Sequence, residues 1–451
     1  MRRWPDGAAA GLTDGGCALT EMPRLASRES GRYRHCRAAM ERLGRVAAAL
    51  RPTDAAASTT DESKVVDGLA DVIASGRRQH SSTPPPAAAA PVSPTDRLAG
   101  PDAYSKWDPE VEGKEYYGEE WRRRNWAGNV QWEQDLLEPQ SLAELCDIVK
   151  ESSFVRVVGR GHSFVPVCKA RAAPRSAAIS LNKMNRVLDI DSEAMTVTVE
   201  GGITYRRLYE VLDAAPESVA LANVQSHPGV TVAGTLSTGT HGSAGIDPET
   251  GRATLGAQSS LCRSVLMVMD DGTTKRWTRG DADWGAVVVS LGCLGVMAEV
   301  TLDLVPDHDF DMVTYTDLSC DHLIKHWRTV ANQYQQIQVN GRWWGAPGSA
   351  APPMMWVHLR QKVERGSPPK SKKDYPQTFC GQGQIAEVRR HRASELFGTS
   401  EAQMRELQFE YFVPLEHAEA AMQATREVSK DWHLPVETDP EGRPLANYTD
   451  V

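Results

Sequence analysis

The sequence predicts an α+β fold organised around two glycine-rich turns. A short apolar run, Phe154 to Val157, empties into the tight loop Val158-Gly-Arg-Gly-His-Ser-Phe164. A second loop of the same character follows at Gly234-Thr-Leu-Ser-Thr-Gly-Thr-His-Gly242. Strand-like and helix-like segments mix without regular β-α-β alternation, which argues against a doubly wound sheet.

Residues 1–102 are rich in alanine, serine and proline, with Pro84-Pro-Pro-Ala-Ala-Ala-Ala-Pro91 as an extended linker, and are expected to be disordered. Order is expected from about Tyr104. Ser141-Leu-Ala-Glu144 has the form of a capping box, and Leu142, Leu145, Cys146 and Val149 repeat at helical spacing behind it. Further strands are expected at Ala178–Leu181, Val187–Ile190 and Met195–Val199, with a helix at Tyr205–Leu212. Leu266-Met-Val-Met-Asp-Asp-Gly-Thr-Thr274 reads as a strand entering an Asp-Gly hairpin turn. Beyond Pro306 the texture changes. Trp327, Trp343, Trp344 and Trp356 crowd together, 349–353 and 366–373 read as loops, and a strand at Gln408–Val413 precedes a helix at Glu416–Ser429. The domains expected are therefore 1–102, 103–306 and a covering domain at 307–451.

Composition excludes several classes. A net charge of −9 leaves no basic footprint for nucleic acid. Eight cysteines without a C-x-x-C pair suggest neither a zinc ribbon nor a disulfide framework. The longest apolar run, Ala286–Ala298, is shorter than the ~20 residues a bilayer crossing takes. A soluble intracellular protein is expected, with an organelle left open. His322 and His326 share a helix face but lack an acidic partner, so no metal site is assigned.

The two loops carry the chemistry. Glycines let backbone N–H groups approach an anion closely, and a run of such amides makes a phosphate-sized nest. Neither loop is a dinucleotide fingerprint, because Phe164 stands at its third glycine position, and neither reads G-x-x-x-x-G-K-[ST]. Two such loops, each with one histidine, suggest a cofactor with a long phosphate-bearing body.

Gly159–Phe164, then Ser226-His-Pro-Gly-Val-Thr-Val-Ala-Gly234 and Ser237-Thr-Gly-Thr-His-Gly242, resemble the FAD-dependent alditol and sugar-1,4-lactone oxidases. Leu291-Gly-Cys-Leu-Gly-Val-Met-Ala-Glu-Val-Thr-Leu302 and Asn125-Trp-Ala-Gly-Asn129 are similar to further motifs of that family. The resemblance runs from about Trp121 to about Val436. It implies a two-lobed FAD-binding domain of the vanillyl-alcohol-oxidase type, under an α+β substrate domain. By the same resemblance His162 carries FAD covalently, and the backbone of Val157, Val158, Gly159, Arg160, Gly161 and Ser163 holds the pyrophosphate. Ser226, Thr231, Gly234, Thr238, Gly239, Thr240 and His241 are implied as FAD contacts, with Val296 meeting the adenine end through its backbone. Ser226 also matches the position nearest substrate.

The implied reaction removes a hydride from a polyol or lactone CH–OH to flavin N5, with O2 as acceptor and hydrogen peroxide as product. The family's substrate carboxylate maps to Glu437, but its arginine position holds Asp439, followed by the turn Pro440-Glu-Gly442. The chain ends at Val451, before the family's remaining strands and lysine, so a shortened substrate domain is expected. The alternative reading is an FAD-binding protein without turnover.

Overall fold

A computed structural model of the protein describes residues 123–132, 134–225, 227–247, 249–341, 354–395, 410 and 412–429. The expected extension over 1–102, both Trp343 and Trp344, and the candidates Ser226 and Glu437 lie outside the described residues.

The described chain opens with β1 (Leu136–Leu137) and helix α1 (Leu142–Glu151). Ser141 Oγ accepts from Glu144 N at 3.2 Å, as a capping box requires. Glu144 answers one residue early, its carboxylate accepting from Gln140 N at 2.8 Å. After β2 (Phe154–Val157) and β3 (Ser176–Ile179), the three strands form a parallel sheet in the order β1-β3-β2. Leu145 and Val149 of α1 bury against Ala177 and Ile179 of this sheet.

Next come β4 (Val187–Asp191), β5 (Thr196–Glu200), helix α2 (Tyr205–Ala214), β6 (Val219–Ala220) and the short helix α3 (Val232–Ser237). They are followed by β7 (Cys262–Val268), β8 (Thr274–Thr278), helix α4 (Trp284–Val288), β9 (Val296–Asp303) and β10 (Val305–Pro306). A five-stranded antiparallel sheet results, ordered β4-β5-β9-β7-β8. Met195 was expected inside a strand, but it takes φ +53 in the turn, so β5 starts at Thr196. Tyr205, Leu208 and Leu212 of α2 join Val197, Val199, Val265 and Val300 in one core, which matches the period of each element.

The chain then builds a second antiparallel sheet that was not legible as strands in the sequence. It uses β11 (His308–Ser319), helix α5 (Cys320–Ala331), β12 (Gln336–Gly341), β13 (Met354–Glu364) and β14 (Gln384–His391), ordered β12-β13-β11-β14. One face of it, with Val313, Tyr315, Val357 and Leu359, buries against Leu323 and Ile324 of α5. The opposite face is polar. Helix α6 (Ala418–Ser429) starts two residues later than expected, after a 3₁₀ turn at Leu415–His417. Glu410, Phe412 and Val413 belong to no regular element, although a strand was expected there. The α+β class holds throughout. Among the described residues no helix is long and apolar enough to cross a membrane.

Candidate functional site

The first loop leaves the parallel sheet where its ladder runs out. Val158 N still donates to Ile179 O at 2.8 Å, one step past Val157. Beyond it, the backbone N–H groups of Gly159, Gly161 and Ser163 find no partner among the described residues. Three undonated amides in a five-residue turn are what an anion nest needs. Arg160, between the two glycines, is buried to 5% exposure and sets a positive charge inside the turn.

The loop is fixed from behind by the 125–129 turn, for which the sequence suggested no job beyond resemblance. Asn125, 1% exposed, donates from Nδ2 to Ser163 O at 3.0 Å and to Asn129 Oδ1 at 2.6 Å. Its Oδ1 accepts from Val130 N at 2.9 Å. Asn129 Nδ2 reaches Phe164 O at 2.9 Å, and Trp126 N reaches Gly161 O at 2.8 Å. Gly161 takes φ +68, and a Cβ there would lie 3.2 Å from Asn125 Cα, so both conformation and space call for glycine.

The second loop meets the first directly. Thr231 caps α3, its Oγ1 accepting from Gly234 N at 3.3 Å. A Cβ added to Gly159 would lie 2.7 Å from that same oxygen. The loops, far apart in sequence, therefore share a contact that leaves no room for a methyl group. Thr238, Gly239, Thr240 and His241 then run along the accessible rim, Gly239 at φ +69. Amides here are mostly engaged within the chain: Gly239 N donates to Leu236 O and Thr240 N to Thr235 O. The Thr238 hydroxyl donates to Gly234 O at 3.0 Å and lies 3.4 Å from Thr240 Oγ1. This loop offers shape and hydroxyl lone pairs, and the first loop offers donors.

A third segment closes the rim. Leu291 N donates to Ser237 O at 3.0 Å, and Arg156 Nη1 reaches Gly292 O at 3.3 Å. Val296 opens β9 directly behind that segment, paired with Val268, its side chain buried among Leu145, Val149 and Val268.

His162 stacks on Trp126, ring centroids 5.3 Å apart at 20°. The imidazole of His227 lies 4.1 Å from it centre to centre. Burial first, then the neighbouring His227 and Arg160, hold the His162 pKa well below the usual histidine range. Burial, then Arg206 and Arg160, push His227 down to about 4. His227 Nε2 is buried without a hydrogen-bond partner. Both rings are thus neutral near pH 7, the form in which a ring nitrogen has a free lone pair. Two imidazoles and two guanidiniums converge at one end of the paired loops. The signal for this was present in Ser226-His-Pro-Gly229, but nothing in the sequence brings position 227 to 162.

His241 is placed differently. Its Nδ1 lies 3.0 Å from Gly242 O and its Nε2 3.5 Å from Glu410 Oε2, with Phe412 edge-on at 5.5 Å. His322 and His326 do share the α5 face, at 4.5 Å between centroids, with His322 Nε2 2.9 Å from Phe379 O.

The FAD binding domain family matches residues 134–278, which hold both loops. The chain is 31% identical over 335 residues to an alditol oxidase of a Streptomyces species, across 71% of this chain and 76% of that protein. It is 33% identical over 190 residues to the L-gulonolactone oxidase of Mus musculus, covering 41% and 40% of the two chains. An L-gulono-1,4-lactone dehydrogenase of Mycobacterium tuberculosis is 34% identical over 187 residues, 40% of each chain. The match thus spans about three quarters of the first relative and two fifths of the other two.

Proposed function

Because the chain belongs to the FAD-binding family of alditol and sugar-lactone oxidases, we propose that it oxidises a CH–OH group of a small polyol or sugar-1,4-lactone, with FAD joined to His162. The observation that carries this reading is the contact of Gly159 with Thr231, which aligns the donor-rich loop with the hydroxyl-lined one along a single cleft. The residues present fit a diphosphate: free amides at Gly159, Gly161 and Ser163, with the Arg160 charge beside them. Bound FAD would take the hydride at N5 and deliver electrons to O2, giving hydrogen peroxide.

The chain's own groups do the rest. Gly159, Gly161 and Ser163 hold the pyrophosphate, and Thr231, Gly234, Thr238, Gly239, Thr240 and His241 line the cofactor's length. His162 supplies a neutral ring nitrogen for attachment, and Trp126 fixes the plane of that ring. His227, against the His162 ring with its own Nε2 unpartnered, helps keep that ring neutral. Ser226 orients the alcohol, with Glu437 as the carboxylate that takes up its hydroxyl proton.

The test is an anaerobic panel of alditols and sugar lactones added to the purified yellow protein. Bleaching of the flavin absorbance by a panel member supports the oxidase reading, and peroxide on admitting air supports O2 as acceptor. A protein that stays yellow with every member is a flavin binder without turnover. Bleaching followed by slow recolouring in air, accelerated by a dye acceptor, makes it a dehydrogenase.

A further inference from the structure

The polar face of the second sheet holds a buried cation that has no counter-charge among the described residues. Arg360 of β13 is 7% exposed, and among the described residues its one hydrogen bond runs from Nη2 to Gln338 Oε1 at 3.1 Å. Its Nε is buried with no partner. Other part-buried arginines, in this sheet and just past its end, are matched by acids. Arg390 reaches Asp311 at 2.5 Å and Asp309 at 3.6 Å, and Arg392 reaches Asp213 at 2.9 Å. No carboxylate lies within ion-pair distance of Arg360 among the described residues. Glu387, on the same face, is half-exposed and engaged by Arg389 at 3.6 Å.

A buried charge left uncompensated is costly, and the cost falls when a ligand brings the opposite charge. The surroundings fit a ligand with hydroxyl groups as well. His358 and Gln338 are cross-strand partners beside Arg360, and the His358 Nδ1 sits 2.8 Å from Thr314 Oγ1. Gln336, directly across from Arg360, donates from Nε2 to Asn223 Oδ1 at 3.0 Å. Asn223 lies under the second loop, because a Cβ on Gly242 would sit 2.8 Å from its Oδ1. The cation is thus linked to the rim that carries His241 through two residues, Gln336 and Asn223.

We propose that Arg360 binds the carboxylate of a polyhydroxy acid, with Gln338, His358 and Thr314 meeting its hydroxyls, so that the substrate class of this cleft includes sugar acids. This rests on the oxidase reading above for its cofactor, and on Arg360 alone for its selectivity. Burial lowers the Arg360 pKa to about 10, with no acid contributing, which leaves it cationic at pH 7.

The experiment is calorimetric titration of the flavin-loaded full chain with sodium gluconate, sorbitol and inorganic phosphate. Gluconate is expected to bind, and Arg360→Gln to weaken it roughly ten- to hundredfold, the range for a charge-assisted hydrogen bond. Arg360→Lys is expected to retain part of the affinity, and sorbitol to be indifferent to both changes. Gln338→Leu, at a half-exposed position, removes the side-chain acceptor of Arg360 but leaves the guanidinium charge in place; it should weaken gluconate about two- to tenfold, and serves if the arginine variants do not fold. No binding of gluconate by the unaltered protein, unchanged binding in Arg360→Gln, or phosphate binding as tightly as gluconate would each overturn the proposal. Sorbitol turnover with Arg360-independent gluconate binding sinks the acid site and spares the oxidase reading. Arg360-dependent gluconate binding in a protein that oxidises nothing does the reverse.

Discussion

Replacing Gly159 by alanine introduces one methyl group at the point where the two loops touch. The new carbon would sit 2.7 Å from Thr231 Oγ1 and 3.8 Å from both Thr231 carbons, so the conflict is with the hydroxyl. Thr231 is 5% exposed and β-branched, and turning its hydroxyl away removes the cap on Gly234 N. Overpacking costs about 1–3 kcal/mol and loss of a cap about 1 kcal/mol, so Gly159→Ala should destabilise the protein by roughly 2–4 kcal/mol. Thr231→Ala removes the obstructing oxygen and should cost only the cap, about 1 kcal/mol. The double variant should then be no worse than Thr231→Ala alone, a coupling of about 2–4 kcal/mol between positions that no sequence window joins. Urea unfolding of the four proteins measures this, and FAD affinity should follow the same order. Additive losses, or a Gly159→Ala protein as stable as the parent, would refute the shared contact and the single cleft built on it.

Further outcomes can be checked independently. His162→Ala should leave flavin in the supernatant after acid precipitation, whereas flavin still bound to denatured protein would assign attachment elsewhere. Asn125→Ala strands Val130 N and Ser163 O, and should cost about 2–3 kcal/mol in thermal unfolding while weakening FAD retention. Stability should fall on acidification. His162, His227, His358 and His391 all have folded pKa values below the unfolded value near 6.5, three of them at about 4. Between those values the unfolded chain binds more protons, so stability is full above about pH 6.5 and drains towards pH 4. A melting temperature flat from pH 7.5 to 4.5 would contradict this. Replacing His391, 2% exposed with both ring nitrogens unpartnered, by phenylalanine should flatten that pH dependence.

Legibility in the sequence followed the range of the interaction involved. The Ser141 cap, the α1 face and the Asp-Gly hairpin between β7 and β8 depend on residues a few positions apart, and they are found near where their patterns stand. Errors at this range were small and local. Met195 looked like a strand residue because it is apolar, but its left-handed φ belongs to the turn before β5. The second sheet was missed for a different reason. Trp356, His358, Arg360 and Lys362 alternate with Met355, Val357, Leu359 and Gln361, a period of two whose outer face is polar yet partly buried, so hydrophobicity alone did not mark it as a strand.

From residue order alone came the α+β class, the two glycine turns, the family and an imidazole in the first turn, since each is written in short runs whose meaning does not depend on distant partners. Tertiary structure alone decided that Gly159 abuts Thr231, that Asn125 braces the first turn, that His227 lies against His162 and that Arg360 is enclosed with no acid in reach among the described residues. Those are contacts between segments separated along the chain, and their energies come from exclusion of water and from hydrogen bonds made only after the segments have packed. A sequence lists the groups, but the packing determines which charges are shielded and which amides are left without a partner.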